Sequence, residues 1–214
     1  LIGIIIVGFG TSLCELFVSI DAVINNASEL SLGNIIGSNI ANILLVIGIS
    51  SLYQNFKTPK LSNLDVSMHL ISTIIFTSLC FSYLINVYWG LFFVTCFVLY
   101  LLIIFRNSNS EEVPEDFKKR KTSLEKKIFL DPIFYGSLSI LVCTILIFSG
   151  TDITVKSAIE ISKILGISES IIGLSLIAVG TSLPEIASSI SAAKKKKFKI
   201  ILGNIVGSNL YNIL

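Results

Sequence analysis

The amino-acid sequence predicts an all-α polytopic membrane protein with inverted-topology repeats, and three observations support this fold class. Hydrophobic residues make up 53% of the 214 residues and charged residues only 14%, whereas about a quarter of a soluble domain is charged. Several apolar runs are long enough to cross a bilayer, which requires about 20 residues in helical form. The first part of the sequence also matches its last part.

The spanning segments are predicted from seven apolar runs. These runs cover residues 1–20, 35–53, 66–85, 87–105, 133–149, 171–193 and 200–214. Because each run approaches the length of a bilayer-crossing helix, we expect about seven spanning segments.

The positive charges indicate which connections face the cytoplasm. The connections after the second, fourth and sixth runs hold 14 of the 16 lysine and arginine residues, and the other two, Lys156 and Lys163, lie around the fifth connection. Cytoplasmic connections carry such an excess of positive charge. Residues 107–128 and 194–199 are therefore predicted to be cytoplasmic.

An internal repeat is the most informative feature of the sequence. Gly3–Leu44 aligns with Gly173–Leu214 without a gap, with 19 identities in 42 positions. The identities include Thr, Ser, Glu and Asn, which chance similarity between apolar helices would not match. Five predicted crossings separate the first run from the sixth, so the second copy is inverted relative to the first. Many secondary transporters have inverted repeats and bind their substrates near the bilayer midplane, where the repeats meet.

The repeat also predicts the organisation of the chain. Residues 1–106 are expected to form the first repeat unit and residues 129–214 the second, joined by a polar linker at 107–128. A further helix at about 131–163 precedes the second copy, and two helices follow the first copy. Restoring the symmetry gives two units of five helices. We therefore expect a ten-helix parent, in which the first unit begins with one more helix and the second unit continues beyond Leu214.

The first repeated block, GTSLxE, places Glu15 and Glu185 inside apolar runs. An intramembrane carboxylate costs about 2.5–3.5 kcal/mol on insertion scales, and such a residue is a candidate for function. In the second copy, Gly180 and Pro184 weaken the helix around the block. Backbone carbonyls freed by such a break are tolerated where protein or a water-filled cavity satisfies them, and they are also suitable ligands for hard cations.

The first copy departs from the second at one position of this block. Cys14 stands where the second copy has Pro184. We therefore expect the break in the first copy to depend on Gly8 and Gly10 instead.

The second repeated block, LGNIxGSNxxNIL, predicts a polar stripe on one helix face. Its residues are spaced by four: Asn34, Ser38 and Asn42 in the first copy, then Asn204, Ser208 and Asn212 in the second. Hydrogen bonding between helices is an alternative role for these side chains. The glycines of the block form small-xxx-small patterns, which we interpret as sites of close helix packing. These glycines are Gly33, Gly37, Gly203 and Gly207.

Two glutamates brought together by the symmetry repel each other unless cations neutralise them. Carboxylate, hydroxyl, amide and backbone oxygens form a site suited to calcium or sodium rather than to zinc or copper. One divalent ion, two monovalent ions or two protons cancel both negative charges. Competition between different ions for one such site is a physical basis for exchange.

These two blocks resemble those of the cation/calcium antiporter superfamily, in particular the prokaryotic sodium/calcium exchangers, whose repeats carry G-T-S-x-P-E and G-N-x-x-G-S-N. The resemblance implies a ten-helix inverted-repeat fold in a prokaryotic cytoplasmic membrane and alternating access to a central site. It also implies backbone carbonyl ligands at Gly8 and Ala178. The implied metal ligands are Thr11, Ser12, Glu15, Ser38, Asn42, Thr181, Ser182, Glu185, Ser208 and Asn212.

Two residues depart from the family pattern. Cys14 replaces the usual proline of the first repeat, and Asn212 stands where many relatives, including potassium-dependent exchangers, have an aspartate. The site would then contain two carboxylates rather than three, which by resemblance argues against potassium co-transport.

The leading hypothesis is a sodium-driven calcium antiporter that extrudes calcium from the cytoplasm. A calcium/proton antiporter on the same fold and a cation channel are alternatives, and a membrane enzyme is the least favoured because the sequence has no recognisable nucleophile–base pair or catalytic metal motif. The expected partners are calcium ions, sodium ions and the lipid bilayer, with no nucleic acid and no cofactor. The sequence gives no prediction of the oligomeric state.

Overall fold

The computed structural model describes residues 8–53, 62–82, 84–108 and 132–214, and every regular element in these ranges is helical. The first copy of the repeat contains α1 (Phe9–Thr11), α2 (Leu13–Ile24), α3 (Ser28–Ala41), a π-helical turn (Asn42–Val46) and α4 (Ile47–Tyr53). Two single helices follow, α5 (Asn63–Ser82) and α6 (Val87–Ser108).

The second part of the chain begins with the long helix α7 (Pro132–Leu165), which agrees with the helix predicted before the second copy. The second copy contains α8 (Glu169–Ile172), a π-helical turn (Gly173–Ile177), α9 (Ala178–Thr181), α10 (Leu183–Lys194) and α11 (Phe198–Ile213). The polar linker predicted at 107–128 lies almost entirely outside the described residues.

Four helical segments are long and apolar enough to cross a bilayer within the described ranges. They are Ser28–Leu52, Asn63–Ser82, Val87–Arg106 and Glu169–Lys194. Large apolar side chains such as Phe81 and Leu102 are 82% and 60% exposed, which suits a surface in contact with lipid. The predicted all-helical membrane fold is confirmed, and the protein is an integral membrane protein.

The two copies of the repeat share the backbone of one helix and of the turn that follows it. Helices α2 and α10 begin and end at equivalent residues, and so do the turns that follow them. In these turns Asn26 has a φ of 59° and Lys196 a φ of 56°. A left-handed backbone is uncommon for residues other than glycine. Its occurrence at equivalent positions shows that the fold of the hairpin, rather than the local residue type, determines the turn.

The helix break is also the same in both copies, despite the missing proline. The break lies at Ser12, with φ −77° and ψ 3°, and at Ser182, with φ −80° and ψ 1°. The expectation that Gly8 and Gly10 supply the first break is therefore wrong: Gly10 lies inside α1 in open space. Gly8 instead allows close packing, because a Cβ atom there would lie 3.1 Å from the backbone nitrogen of Ser208.

Glycines bring the two copies into backbone contact where α3 crosses α8 and its π-helical turn. A Cβ atom added to Gly33 would lie 2.9 Å from the nitrogen of Leu174, and one added to Gly37 would lie 2.6 Å from the Cβ atom of Ala178. Gly173 faces this crossing from the other side, where an added Cβ atom would lie 3.0 Å from the nitrogen of Asn34. The packing interpretation is confirmed for Gly33 and Gly37.

Apolar side chains fill the space on either side of this crossing. One cluster, which includes Val18, Leu30 and Val155, packs α7 against α2 and α3. A second cluster, which includes Val46 and Ile201, packs the end of the first copy against α10 and α11. The polar centre between the copies is therefore enclosed by apolar contacts.

The helix crossing predicts a large effect of substitution at Gly37. We expect Gly37→Val to lower the free energy of unfolding by about 1–3 kcal/mol or more, because the added side chain overlaps backbone atoms that cannot move independently. The melting temperature of the purified protein in detergent measures the effect. Gly48→Ala is the control, since Gly48 has open space around its Cα atom, and an unchanged melting temperature for both variants would contradict the prediction.

Because the helix breaks at Ser12 and Ser182 have the same backbone geometry, we expect a proline to be tolerated at position 14. We expect Cys14→Pro to change the free energy of unfolding by less than about 0.5 kcal/mol, because Pro184 occupies the equivalent position at the start of α10. As a comparison, Val18→Pro inside α2 is expected to cost about 3 kcal/mol or more. Thermal unfolding in detergent distinguishes the two outcomes, and equal destabilisation by both prolines would refute the equivalence of the breaks.

Candidate cation site

The candidate site lies where the interrupted helices of the two copies face the polar stripes on α3 and α11. The first break leaves Thr11 at the end of α1 and Glu15 in the first turn of α2, where a helix N-terminus favours negative charge. The second break gives Thr181 and Glu185 the same positions on α9 and α10. Glu15 is 2% exposed and Glu185 is 0% exposed, so both carboxyl groups are buried in the protein.

Reciprocal hydrogen bonds join each threonine to the stripe of the other copy. The hydroxyl of Thr11 donates to Asn204 Oδ1 over 3.3 Å, and the hydroxyl of Thr181 donates to Asn34 Oδ1 over 3.3 Å. A two-fold axis makes such contacts in pairs. Because the predicted topology inverts the second copy, this pseudo-two-fold axis would lie in the plane of the membrane.

The serines of the stripes continue this pattern of contacts. The hydroxyls of Thr11 and Ser208 are 3.4 Å apart, and those of Thr181 and Ser38 are 3.3 Å apart. Both serines are fully buried. The structure therefore brings four of the predicted hydroxyl groups into one layer between the copies.

The asparagine at the start of each stripe supports a helix break. The Nδ2 group of Asn34 donates to the backbone oxygen of Glu15 over 3.3 Å, and that of Asn204 donates to the backbone oxygen of Glu185 over 3.5 Å. The Asn34 amide also donates to Ser19 Oγ over 3.1 Å. The hydrogen-bonding interpretation of the stripe is therefore confirmed for these two asparagines, whose amides hold the backbone that carries the glutamates.

The two glutamate side chains have different surroundings. Oε1 of Glu185 accepts hydrogen bonds from Ser12 Oγ and Ser208 Oγ, each over 3.4 Å, while its Oε2 has no partner. Neither carboxylate oxygen of Glu15 has a hydrogen-bond partner within 3.5 Å among the described residues. Two further predicted oxygen atoms, Ser182 Oγ and Asn42 Oδ1, are also buried without a partner. Buried polar atoms are rarely left in this state, and a set of open oxygen atoms around carboxylates is suited to a bound cation.

The asparagines at the far end of each stripe are arranged differently from each other. Asn42 is fully buried, and its Nδ2 group donates to Asn209 Oδ1 over 3.0 Å. Asn212 is half-buried, its Nδ2 atom is buried without a partner, and with Glu15 and Ser12 it lines a cavity of about 230 Å³. Asn209 was not among the predicted site residues, although it belongs to the repeated GSN sequence, which was the signal that could have identified it.

The two backbone carbonyls named by the resemblance lie in the hydroxyl layer. The carbonyl oxygen of Gly8 accepts from Thr11 Oγ1 over 3.2 Å and from Ser208 Oγ over 3.3 Å. The carbonyl oxygen of Ala178 accepts from Thr181 Oγ1 over 3.3 Å. Both oxygens therefore lie beside predicted hydroxyl ligands.

The acidic residues outside the site do not add a third carboxylate to it. Across residues 8–53, 62–82, 84–108 and 132–214, no three Asp, Glu, His or Cys side chains gather in a metal-binding group. Asp65 is buried, but it accepts a hydrogen bond of 2.9 Å from the hydroxyl of Tyr100, which joins α5 to α6. Asp65 therefore has a structural partner that Glu15 lacks.

Comparison with known proteins gives a consistent result over the whole chain. Residues 1–106 and 135–214 match the family described as "Sodium/calcium exchanger protein". The chain is 30% identical to the inner membrane protein YrbG of Escherichia coli over 220 residues, which cover 100% of this chain and 66% of that protein. It is also 30% identical to the sodium/calcium exchanger MaX1 of Methanosarcina acetivorans, covering 99% of this chain and 70% of that protein.

Solved structures of the sodium-calcium exchanger NCX_Mj have the same fold. One of them, from a crystal soaked with Na⁺ and Sr²⁺, superposes with a TM-score of 0.62 at 29% sequence identity. The match covers 99% of this chain and 67% of that chain. This chain thus spans about two thirds of the length of the relatives that it matches.

The family match covers most of the chain, and both relatives are 30% identical to it over nearly its whole length. The chain belongs to the sodium/calcium exchanger family, whose members are ion-exchanging membrane transporters rather than enzymes.

Proposed function

We propose that the protein containing this chain is a sodium-driven calcium antiporter that extrudes calcium from the cytoplasm by alternating access. The observation that carries this proposal is the set of buried oxygen atoms without hydrogen-bond donors around Glu15 and Glu185. The proposed ligands come from both copies and are Thr11, Ser12, Glu15, Ser38, Asn42, Thr181, Ser182, Glu185, Ser208 and Asn212.

The proposed substrate follows from the kind and charge of these ligands. Calcium binds six to eight oxygen atoms in flexible geometry, and carboxylate, amide, hydroxyl and carbonyl oxygens are its usual ligands. One calcium ion balances the charges of Glu15 and Glu185, and so do two sodium ions. Since neither kind of ion can share the two carboxylates fully with the other, their competition couples the movement of one to the movement of the other.

The proposed orientation follows from the charges and the repeat. Residues 107–128 and 194–199 carry many of the lysines and are assigned to the cytoplasmic side. The two repeat units, 1–106 and 129–214, then meet at a central site, and rocking of one unit against the other would expose it to each side in turn.

A second candidate is calcium/proton exchange at the same site. The burial of both carboxyl groups favours it, because two protons neutralise Glu15 and Glu185 as fully as two sodium ions do. Potassium co-transport is not proposed, because Asn212 contributes a neutral amide. This holds although the human sodium/potassium/calcium exchanger 2 is 35% identical to this chain over 94 residues, which cover 44% of this chain and 13% of that protein.

Calcium uptake driven by separate ion gradients tests the proposed function. Vesicles containing the whole protein are given a sodium gradient or a proton gradient, and ionophores collapse the other gradient in each case. We expect radiolabelled calcium uptake with the sodium gradient alone. Uptake with the proton gradient alone would replace sodium by protons in the proposal, and uptake with neither gradient would remove calcium antiport as the function.

Neutral substitutions of the two glutamates test the site. We expect Glu15→Gln and Glu185→Gln each to reduce calcium uptake more than about 100-fold, because removing one charge of a buried ion pair costs several kcal/mol. Asp152→Asn is the matched control, since Asp152 forms an ion pair with Lys156 on the exposed face of α7. Uptake by a folded glutamine variant at the level of the control would remove that glutamate from the site.

A further inference from the structure

The two copies of the repeat make many of the same contacts, so a contact made by only one of them is informative. The Thr11–Asn204 hydrogen bond has its counterpart in Thr181–Asn34, and both are 3.3 Å long. Within each copy, the asparagine amide also makes the equivalent hydrogen bond, from Asn34 to the backbone oxygen of Glu15 and from Asn204 to that of Glu185. Asn39 and Asn209 are an exception, because they occupy equivalent positions but have different hydrogen-bond partners.

Asn209 reaches across to the first copy. Its Oδ1 atom accepts the hydrogen bond of 3.0 Å from Asn42 Nδ2, and its Nδ2 group donates to the backbone oxygen of Asn39 over 3.4 Å. Asn39 stays on its own helix, where its Nδ2 group donates to the backbone oxygen of Ile35 over 2.9 Å. One asparagine of the pair therefore bridges the copies and the other does not.

The hydrogen bond that symmetry predicts for Asn39 is not formed. Asn42 Nδ2 donates a hydrogen bond to Asn209 Oδ1. At the equivalent positions, symmetry predicts that Asn212 Nδ2 donates to Asn39 Oδ1. In the structure, Asn212 Nδ2 and Asn39 Oδ1 are both buried without a hydrogen-bond partner. A matched donor and acceptor are thus present, and each is costly to leave unpaired in the interior of the protein.

The carboxylates differ less than the amides do. Oε1 of Glu185 accepts hydrogen bonds of 3.4 Å from Ser12 and Ser208, whereas Glu15 has no partner within 3.5 Å in the part of the chain that the structure describes. Because Oε2 of Glu185 also has no partner there, the amide pairs are the contacts that distinguish the two copies.

We propose that Asn209 and Asn39 are positioning residues for the ligand amides of Asn42 and Asn212. A pair is closed when the positioning residue accepts a hydrogen bond from the ligand amide, and open when it does not. The two pairs close alternately as the protein changes the side to which its site opens. This inference rests on the proposed exchange function. In the structure Asn42–Asn209 is closed and Asn212–Asn39 is open. In the opposite state Asn39 would reach across to Asn212, and Asn209 would turn back to its own helix.

A closed pair has a direct effect on the cation. When Asn209 Oδ1 holds the Nδ2 group of Asn42, the amide of Asn42 is fixed with its Oδ1 atom free. A free amide oxygen is a calcium or sodium ligand, whereas an amide NH₂ group turned toward the site repels a cation. Each positioning residue therefore determines whether one ligand amide presents its oxygen, and alternate closing changes which copy supplies it.

The test measures the calcium concentration for half-maximal exchange separately at each face of the membrane. Vesicles containing the whole protein in a single, determined orientation carry out calcium self-exchange, so that the result does not depend on the identity of the counter-ion. The variants are Asn209→Leu and Asn39→Leu, which keep the approximate shape of the side chain and remove its hydrogen bonds. Asn86→Leu is the matched control, because Oδ1 of Asn86 accepts hydrogen bonds from the backbone nitrogens of Tyr88 and Trp89 at the exposed start of α6.

We expect Asn209→Leu to raise the half-maximal calcium concentration about tenfold at one face and less than twofold at the other, and Asn39→Leu to give the opposite sidedness. A structural defect would lower the amount of active protein equally for both faces, as we expect for Asn86→Leu. Equal changes at both faces, or none, in either of the two asparagine variants would overturn the inference while leaving the proposed function intact. Absence of calcium exchange by the unmodified protein would overturn both.

Discussion

The burial of two carboxyl groups between the repeats is the constraint on which the rest of the structure depends. Glu15 and Glu185 are at most 2% exposed, and a buried charge is stable only when it is paired and hydrogen-bonded. The partners that the structure gives to Glu185 are the neutral hydroxyls of Ser12 and Ser208. Hydroxyl dipoles reduce the cost of burial without cancelling the charge. They therefore leave the final neutralisation to an ion that can be replaced.

Short polar side chains and glycines are required together at this interface. A hydroxyl of Thr11 or Thr181 can bond to the opposite copy over 3.3 Å only where the helices are nearly in backbone contact. Gly33 and Gly37 permit this approach, since a side chain at either position would overlap the second copy. Longer polar side chains could span a wider gap, but their flexibility would leave the ligand positions poorly defined. The short polar residues and the glycines of the repeat therefore serve the same requirement, which is close approach of the helices of the two copies.

The features predicted from the sequence are those that depend on residue type at a fixed spacing. The buried glutamates, the polar stripes and the packing role of Gly37 follow from pattern and hydrophobicity alone. The position of the first helix break could not be predicted in this way, because the break lies at Ser12 without a neighbouring proline, just as the second lies at Ser182 beside Pro184. The role of Asn209 also depends on a partner 167 positions away, and sequence periodicity carries no information on which of two equivalent asparagines bridges the copies.

The symmetry of the repeat and its local failure have different consequences for transport. A site with complete two-fold symmetry about an axis in the membrane plane would be equally accessible from both sides, or from neither. A transporter must therefore break the symmetry in each working state, and an inverted repeat offers two ways to do so with the same set of contacts. Because the two arrangements contain equivalent bonds, their free energies are close, and an ion shifts the population only by the difference between its binding free energies to the two arrangements.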